Sequence, residues 1–294
     1  MSTPSYANFP PQLLSVNGFQ QRLTAQEQYE AGARKGCESY RQVTGDYHDF
    51  QVVGSHLADP EMPDDDSRRV DNFLAHRIQE SLGRATRPVI MLDIGGEFGI
   101  TAHKLAAAFG DAIDEGSLAI GVTNLAEKSV FEREHEELVD DRQRYNEILE
   151  IRAEAGGRVQ EISSNGRELA NKCISMADGT EIPLKGNVTL AHERHAFTFW
   201  SQVPGVDIWG ASRIVADDGL YMTLAANSEK PFTERSPWDQ ESTKQRRQEI
   251  ALAHDLLADE QRLTVNRTVR IGKFANETMH YLMFTGPSAL PIDI

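Results

Sequence analysis

The chain has 294 residues, which is enough for one large domain or two small ones. Its 45 acidic and 30 basic residues give a formal charge of −15, and this balance argues against general binding to nucleic acid, which needs a basic face. No apolar stretch is long enough to span a membrane, no secretory signal begins the sequence, and the two cysteines form no metal-binding pair. These features predict a cytoplasmic protein with no metal site and no membrane partner.

Residues 1–84 predict an irregular arm followed by a helical cap or lid. The arm is rich in proline, serine and asparagine, and a capping box formed by Thr24 and Glu27 then predicts a first helix. A loop with two glycines and two prolines separates this helix from a second one, whose apolar residues recur at helical spacing over residues 70–82.

Residues 85–294 predict an α/β domain, and its first strand carries the clearest signal. The apolar run over residues 89–92 is typical of a strand that is buried on both faces. The strand ends at Asp93, a glycine-rich turn follows up to Gly99, and a helix begins directly after it. Strand, turn and helix form the first half of a nucleotide-binding unit, because glycines allow close approach of a ligand and the helix start presents free N–H groups.

Strands and helices alternate over the remainder of the chain. The predicted strands are residues 118–122, residues 160–176 with a turn at 165–166, residues 188–192, and residues 220–225 after a turn at 217–219. The predicted helices are residues 126–155, 205–215 and 236–258, and residues 264–274 and 278–285 form a closing hairpin. This alternation predicts a mostly parallel sheet that the hairpin closes with antiparallel pairing.

In this order of elements, residues 85–286 resemble the class I S-adenosylmethionine-dependent methyltransferases, which have a Rossmann-like sheet. Residues 93–99 resemble the first motif of the family, an acid followed by alternating glycines. Residues 177–184 resemble the stretch after the third strand, where an acid lies near adenine, and residues 191–200 resemble the segment that lines the reaction centre. The resemblance implies transfer of a methyl group from S-adenosylmethionine to an oxygen or nitrogen atom of a small-molecule acceptor.

The resemblance also gives candidate roles to residues at the matching positions. The cofactor-binding candidates are Asp93, Gly95, Gly96, Glu97, Gly99, Asn124, Asp178 and Glu193. His192 and His195 are the catalytic candidates, because an imidazole at the carboxyl end of a central strand can accept a proton near neutral pH. The substrate-binding candidates are Tyr47 and His48 in the loop of the cap and Trp238 after the fifth strand.

Two positions depart from the family pattern and leave a second function open. Glu97 stands where the family has its middle glycine, and Thr123 and Asn124 follow the second strand where the family has an acid that binds the ribose hydroxyls. Asn124 can accept a hydrogen bond only through a neutral amide oxygen. A protein with this fold but with altered or lost cofactor use is therefore the alternative to a methyltransferase.

Three absences from the sequence favour a small molecule over nucleic acid as the acceptor. There is no basic patch, no added nucleic-acid module, and no Asn/Asp-Pro-Pro-aromatic tetrapeptide after the fourth strand. A nicotinamide-dependent oxidoreductase is a third option, but residues 95–99 do not fit the pattern G-x-G-x-x-G. A homodimer is compatible with the resemblance, although no residue argues for one.

Overall fold

The structure is a computed structural model that describes residues 6–35, 66–96, 99–125, 142–193, 196–197, 201–224, 240–259, 264–274 and 277–289. The helices are α1 (Pro11–Leu14), α2 (Phe19–Lys35), α3 (Asp66–Leu82), α4 (Ile100–Ala108), α5 (Gly110–Asp114), α6 (Arg142–Glu154), α7 (Pro204–Ser212) and α8 (Gln240–Asp259). The strands are β1 (Val89–Ile94), β2 (Leu118–Asn124), β3 (Val159–Ser163), β4 (Cys173–Ser175), β5 (Glu181–Pro183), β6 (Val188–Glu193), β7 (Val215–Leu224), β8 (Thr264–Phe274) and β9 (Glu277–Thr285). None of these helices combines the length and the apolar character that crossing a membrane requires.

The main sheet of the described residues has seven strands in the order β3-β2-β1-β6-β7-β9-β8. Strands β3, β2, β1, β6 and β7 are parallel, and β9 pairs antiparallel with both β7 and β8. The chain runs outward from β1 to β2 and β3, and it then continues on the other side of β1 with β6. This is the Rossmann-like α/β fold that the sequence predicts, with a mostly parallel sheet and a closing antiparallel hairpin.

The central strands are apolar along their length because helices cover both faces of the sheet. In β1, Ile90 and Leu92 face one helical layer, and Val89 and Met91 face the other. The first layer contains α1, α2, α7 and α8, which contribute Leu13, Leu23, Val206 and Ile250 to the core. The second layer contains α3, α4 and α5, which contribute Ile78, Leu105 and Ile113.

The predicted third strand is too long. β3 ends at Ser163, and β4 and β5 form a separate two-stranded antiparallel sheet. The side chain of Gln160 attaches this hairpin to β3, since its Oε1 accepts the Ser175 N–H at 2.7 Å and its Nε2 donates to the Ser175 carbonyl oxygen.

The turn predicted at Gly166 is not part of a hairpin. A Cβ atom on this glycine would overlap the carbonyl oxygen of Asp207 in α7. Gly166 is therefore required by the close packing of its backbone against that of α7, and not by the turn that the sequence predicts.

The turn predicted at residues 217–219 is also wrong, because these residues lie inside β7. The pairing of β7 with β6 shifts register between Val188 and Leu190. A Cβ atom on Gly219 would lie 2.7 Å from the carbonyl oxygen of Val188, so the glycine permits the irregular pairing.

Candidate functional site

The candidate site lies at the carboxyl ends of β1 and β6, where the order of the strands reverses. In open α/β sheets, ligands bind in the crevice outside the carboxyl ends of the strands at such a reversal. The two strands are in register up to the pair Ile94 and Glu193, so their ends are level. The turn after β1, the ends of β2 and β3, and the segment after β6 all meet in this region.

Two glycines in the left-handed conformation shape the turn between β1 and α4. Gly95 has a φ of 67° and Gly99 a φ of 64°, values that residues with a side chain rarely adopt. Gly99 is the N-cap of α4, and as a glycine it has no side chain with which to cap the first N–H groups of this helix. Gly95 and Gly96 therefore offer a ligand backbone without side chains, close to the positive end of a helix.

Thr123 fixes this turn from the end of β2. The Gly95 N–H donates to the carbonyl oxygen of Thr123 at 2.9 Å and to its Oγ1 at 3.1 Å. The hydroxyl of Thr123 is buried and serves the protein itself. Asn124, the last residue of β2, is half-buried at the same end of the sheet.

Asp93 and His192 form a buried pair beneath the turn. They are directly opposite in the pairing of β1 with β6, and the Nδ1–H of His192 donates to Oδ1 of Asp93 at 3.0 Å. The bond keeps a proton on Nδ1, so Nε2 is the basic nitrogen of the neutral ring. His192 is only 2% exposed, and a Cβ atom on Gly96 would lie 2.5 Å from Oδ2 of Asp93. The pair orients the Asp93 carboxylate directly under the glycine turn.

Glu193, the last residue of β6, is fully buried and fixes the segment that follows the strand. Its Oε1 accepts the backbone N–H of Phe197 at 3.0 Å, and its Oε2 accepts the hydroxyl proton of Thr223 in β7. Burial, together with the nearby Glu193 carboxylate, raises the pKa of Tyr221, so this phenol stays protonated.

The segment after β6 packs back onto the glycine turn. A Cβ atom on Gly95 would overlap the Cβ atom of Ala196, and the ring of Phe197 extends to within 2.8 Å of the Cβ position of Gly166. Ala196 therefore covers one side of Gly95.

Helix α2 crosses the carboxyl ends of β2 and β3. Tyr29 is buried and packs against Leu125, the residue after β2. Its neighbour Glu30 accepts a hydrogen bond at 2.8 Å from the side-chain amide of Asn165, which follows β3. Helix α2 is therefore one wall of the crevice.

A buried ionic cluster lies behind this wall. Arg167 donates to Oε1 of Glu30 at 2.5 Å and to Oδ1 of Asp207 at 2.8 Å, and Ser201 donates to the other oxygen of Asp207. Burial raises the pKa of Asp207 to about 6, although Arg167 opposes the shift. Burial alone would lower the pKa of Arg167, but the two carboxylates raise it, so the guanidinium remains charged.

Sequence reasoning missed Glu30, Asn165 and Arg167 as members of the site. Asn165 and Arg167 come directly after the true end of β3, where a loop at the carboxyl edge of the sheet begins. With the strand extended to residue 176, the same residues fell inside a predicted hairpin. A third strand that ends at the polar residues after Ile162 would have placed them at the crevice.

The remaining predicted site residues are distributed as follows. Asp178 is exposed in the turn between β4 and β5, where its Oδ1 accepts the Thr180 N–H at 2.8 Å and this bond lowers the pKa of the carboxyl group. The residues that lie outside the described part of the chain are Tyr47, His48, Glu97, His195 and Trp238.

Solved structures match this chain, whereas no protein-family model and no curated protein sequence does. A SAM-dependent methyltransferase from Aquifex aeolicus matches with 14% identity and a TM-score of 0.40, over 79% of this chain and 97% of that one. The N-methyltransferase NodS from Bradyrhizobium japonicum, in complex with S-adenosyl-L-homocysteine, matches with 13% identity and a TM-score of 0.42, over 81% and 98%. The CMeT domain of citrinin polyketide synthase matches with 11% identity and a TM-score of 0.47, over 95% and 69%. Likeness at this level concerns the fold and says nothing of the substrate of this chain.

Proposed function

We propose that this protein transfers a methyl group from S-adenosylmethionine to a small-molecule acceptor. The observation that carries the proposal is the turn from Gly95 to Gly99. It has two left-handed glycines, it leads into α4 with a glycine as the N-cap, and it lies where the strand order reverses in a sheet closed by the antiparallel β9. Ligand binding at such a turn is the general behaviour of doubly wound sheets.

The charges around the turn fit a cationic cofactor. Asp93 and Glu193 place two carboxylates at the ends of β1 and β6. S-adenosylmethionine carries a sulfonium and an ammonium group, which these carboxylates attract, whereas the pyrophosphate of a nicotinamide dinucleotide would bring negative charge to the same place.

Among the described residues, the proposed cofactor-binding groups are Asp93, Gly95, Gly96, Gly99 and Asn124. Both oxygens of Glu193 already accept protein hydrogen bonds, so its proposed contribution is its charge.

When bound, S-adenosylmethionine supplies an electrophilic methyl group. The contribution of the protein is to hold the acceptor atom in line with this methyl group and to exclude water, and such positioning supplies much of the rate in a two-substrate reaction. The burial of His192 and its bond to Asp93 favour a role in orienting that carboxylate. His195 is then the proposed base for acceptors that must lose a proton.

The charge of the chain supports a small molecule as the acceptor. The formal charge of −15 repels a polyanion. A small acceptor that is not a polyanion does not meet this obstacle.

Isothermal titration with S-adenosylmethionine and S-adenosylhomocysteine tests the proposal, with NAD as the control ligand. We expect micromolar binding of both sulfur compounds, about 8 kcal/mol, and no binding of NAD. Absence of heat and of any thermal stabilisation by the sulfur compounds would refute the proposal.

Gly95→Ala links the measured binding to the turn. The added methyl group meets Ala196 and the backbone is left-handed, so we expect lower stability and weaker binding of S-adenosylhomocysteine. Gly116→Ala is the matched control, because Gly116 is also left-handed but has no atom within 4 Å of its Cβ position. The control shows the effect of backbone strain alone, and equal binding losses in both variants would contradict the role of the turn.

One observation favours the second candidate, a protein with this fold that does not use the cofactor. Ala196 occupies the space beside Gly95, so the glycine is required by the packing of the chain itself. The same titration decides between the two candidates, since this second protein would bind neither sulfur compound.

A further inference from the structure

The ionic cluster behind α2 is not used by the chemistry proposed above. Arg167 bridges Glu30 on α2 and Asp207 on α7, and the three side chains are 1%, 4% and 2% exposed. Buried charges are costly to desolvate, and removal of one partner leaves the others uncompensated. Loss of Arg167 would therefore leave two buried carboxylates facing each other, and α2 would have to move to relieve them.

Further hydrogen bonds and an ion pair extend the attachment along α2. Gln26, one turn before Glu30, donates to the Glu30 carboxylate at 2.9 Å and accepts the backbone N–H of Gln202 at 2.7 Å. Arg22, a further turn back, donates to the carbonyl oxygen of Gln202 at 2.7 Å and to Glu249 on α8. The helix is thus fixed at three successive turns to the loop after β3, the start of α7 and α8.

The end of α2 that Arg167 fixes is the end that reaches the crevice. Tyr29, the neighbour of Glu30, packs against Leu125, and Leu125 directly follows Asn124. The hydroxyl of Ser163 donates to the Leu125 carbonyl oxygen at 3.0 Å, which holds the ends of β2 and β3 together under the helix. In doubly wound sheets, the ribose of a bound nucleotide lies at the carboxyl end of the second strand. Tyr29 therefore lies on the nucleoside side of the crevice.

We propose that Arg167 is a positioning residue that joins Glu30 to Asp207 and so holds α2 as a wall of the nucleoside end of the cofactor site. This inference rests on the proposed function. Docking of α2 and binding of the cofactor then stabilise each other, because coupling between two equilibria is reciprocal. Arg167 acts through α2 and does not touch the cofactor itself.

The test uses the full chain with the substitution Arg167→Met and S-adenosylhomocysteine as the probe. We expect about tenfold weaker binding in titration calorimetry, in the usual range of coupling between two sites. We also expect faster hydrogen–deuterium exchange in peptides from α2, while peptides from β1 and β6 stay protected. In the wild type, S-adenosylhomocysteine should slow the exchange of α2, which is the reciprocal effect that a merely structural arginine would not produce.

Arg152→Met is the matched control. It removes another arginine–glutamate pair, Arg152 with Glu161 at 2.7 Å, which joins α6 to β3 and is 11% and 13% exposed. We expect the control to keep wild-type affinity and wild-type exchange of α2.

Two conservative variants extend the test. Arg167→Lys keeps the charge but lacks the planar fork that reaches two carboxylates, so we expect an affinity between those of the wild type and Arg167→Met. Glu30→Gln keeps the size of the side chain and removes its charge. It replaces Arg167→Met as the test variant if Arg167→Met does not fold. Its expected effects are the same as those of Arg167→Met.

Two results would overturn the inference while leaving the proposed function intact. The first is an α2 that remains protected without Arg167. The second is an α2 that exchanges freely while the affinity for S-adenosylhomocysteine is unchanged. A wild-type protein that binds no S-adenosylhomocysteine would instead refute the proposed function, and the coupling with it.

Discussion

His254 in α8 is a buried histidine that works against the stability of the fold in acid. Its ring lies against Phe284 with 5.5 Å between ring centroids, and burial lowers its pKa to about 3. The unfolded chain binds a proton near pH 6.5, so the native state excludes a proton that the unfolded state takes up. The free energy of unfolding is therefore unaffected by His254 above about pH 6.5, and it falls progressively as the pH is lowered from 6.5 toward 3.

His254→Leu should remove this pH dependence. Between pH 7 and pH 5, we expect the free energy of unfolding of the wild type to fall by about 2 kcal/mol relative to the variant. Urea denaturation of both proteins at the two pH values measures the difference. Comparison with the variant is necessary because Asp207, whose pKa is raised by burial, stabilises the native state as the pH falls through about 6.

The control for this prediction is His76→Gln. The side chain of His76 is 67% exposed on α3, so this variant shows whether the loss of any histidine, and not of the buried one, changes the pH dependence. A His254→Leu protein with the same pH dependence as the wild type would contradict the assignment to His254.

The residues of the site were predictable only in part. The acid and glycines after β1 stand out in the sequence because a left-handed turn needs glycine. Their partners do not stand out, since Thr123, His192 and Ala196 come from elements far along the chain and meet the turn only in the folded sheet. His192 and Asp93 were both candidates, but nothing in the sequence indicates that they bind each other.

At the level of elements, α7 packs against the loop after β3 backbone to backbone. A Cβ atom on Gly210 would lie 2.5 Å from the carbonyl oxygen of Gly166 and 2.7 Å from Cα of Arg167. On an ordinary helix, glycine to alanine stabilises by about 1 kcal/mol. Here the added methyl group would push away the loop that carries Arg167. Alanine at position 210 should therefore destabilise the protein instead of stabilising it.

We expect Gly210→Ala to destabilise the protein by about 1–3 kcal/mol in chemical denaturation. Gly83→Ala is the control, because the nearest atoms to the Cβ position of Gly83 are 3.6 Å away and its backbone is not left-handed. A neutral or stabilised Gly210→Ala protein would show that the two elements separate easily.

The elements themselves differ in how far the sequence predicts them. β1, β2 and β6 are apolar runs because both faces of the central sheet are buried, and such runs are visible without a structure. β3 lies at the edge of the sheet and is less buried, so its end cannot be located from its composition. The start of β7 was missed because an irregular pairing, and not a turn, requires Gly219.

At the level of the whole molecule, the N-terminal helices share a core with the sheet. Leu13 of α1 is 0% exposed and belongs to the same cluster as Leu92 of β1 and Ile250 of α8. The boundary predicted after residue 84 therefore separates elements that bury one another. The predicted helical cap is also part of the core, and periodicity alone does not show which surface a helix packs on.

We expect Leu13→Ala to lower the free energy of unfolding by about 2–5 kcal/mol, because it leaves a cavity between α1 and the sheet layer. Leu149→Ala on α6 is the control, since this leucine is 44% exposed and should matter by less than about 0.5 kcal/mol. Similar losses in the two variants, measured by urea denaturation, would show that α1 is peripheral to the core.

The attachment of α2 to α8 has a consequence for the chain during its synthesis. Arg22 and Glu249 are 227 positions apart, so this contact cannot form until α8 leaves the ribosome. At about 5–20 residues per second, synthesis of the 227 intervening positions takes roughly 10–45 s. For that interval α2 lacks its α8 partner, so the packing of a helix made among the first is completed among the last.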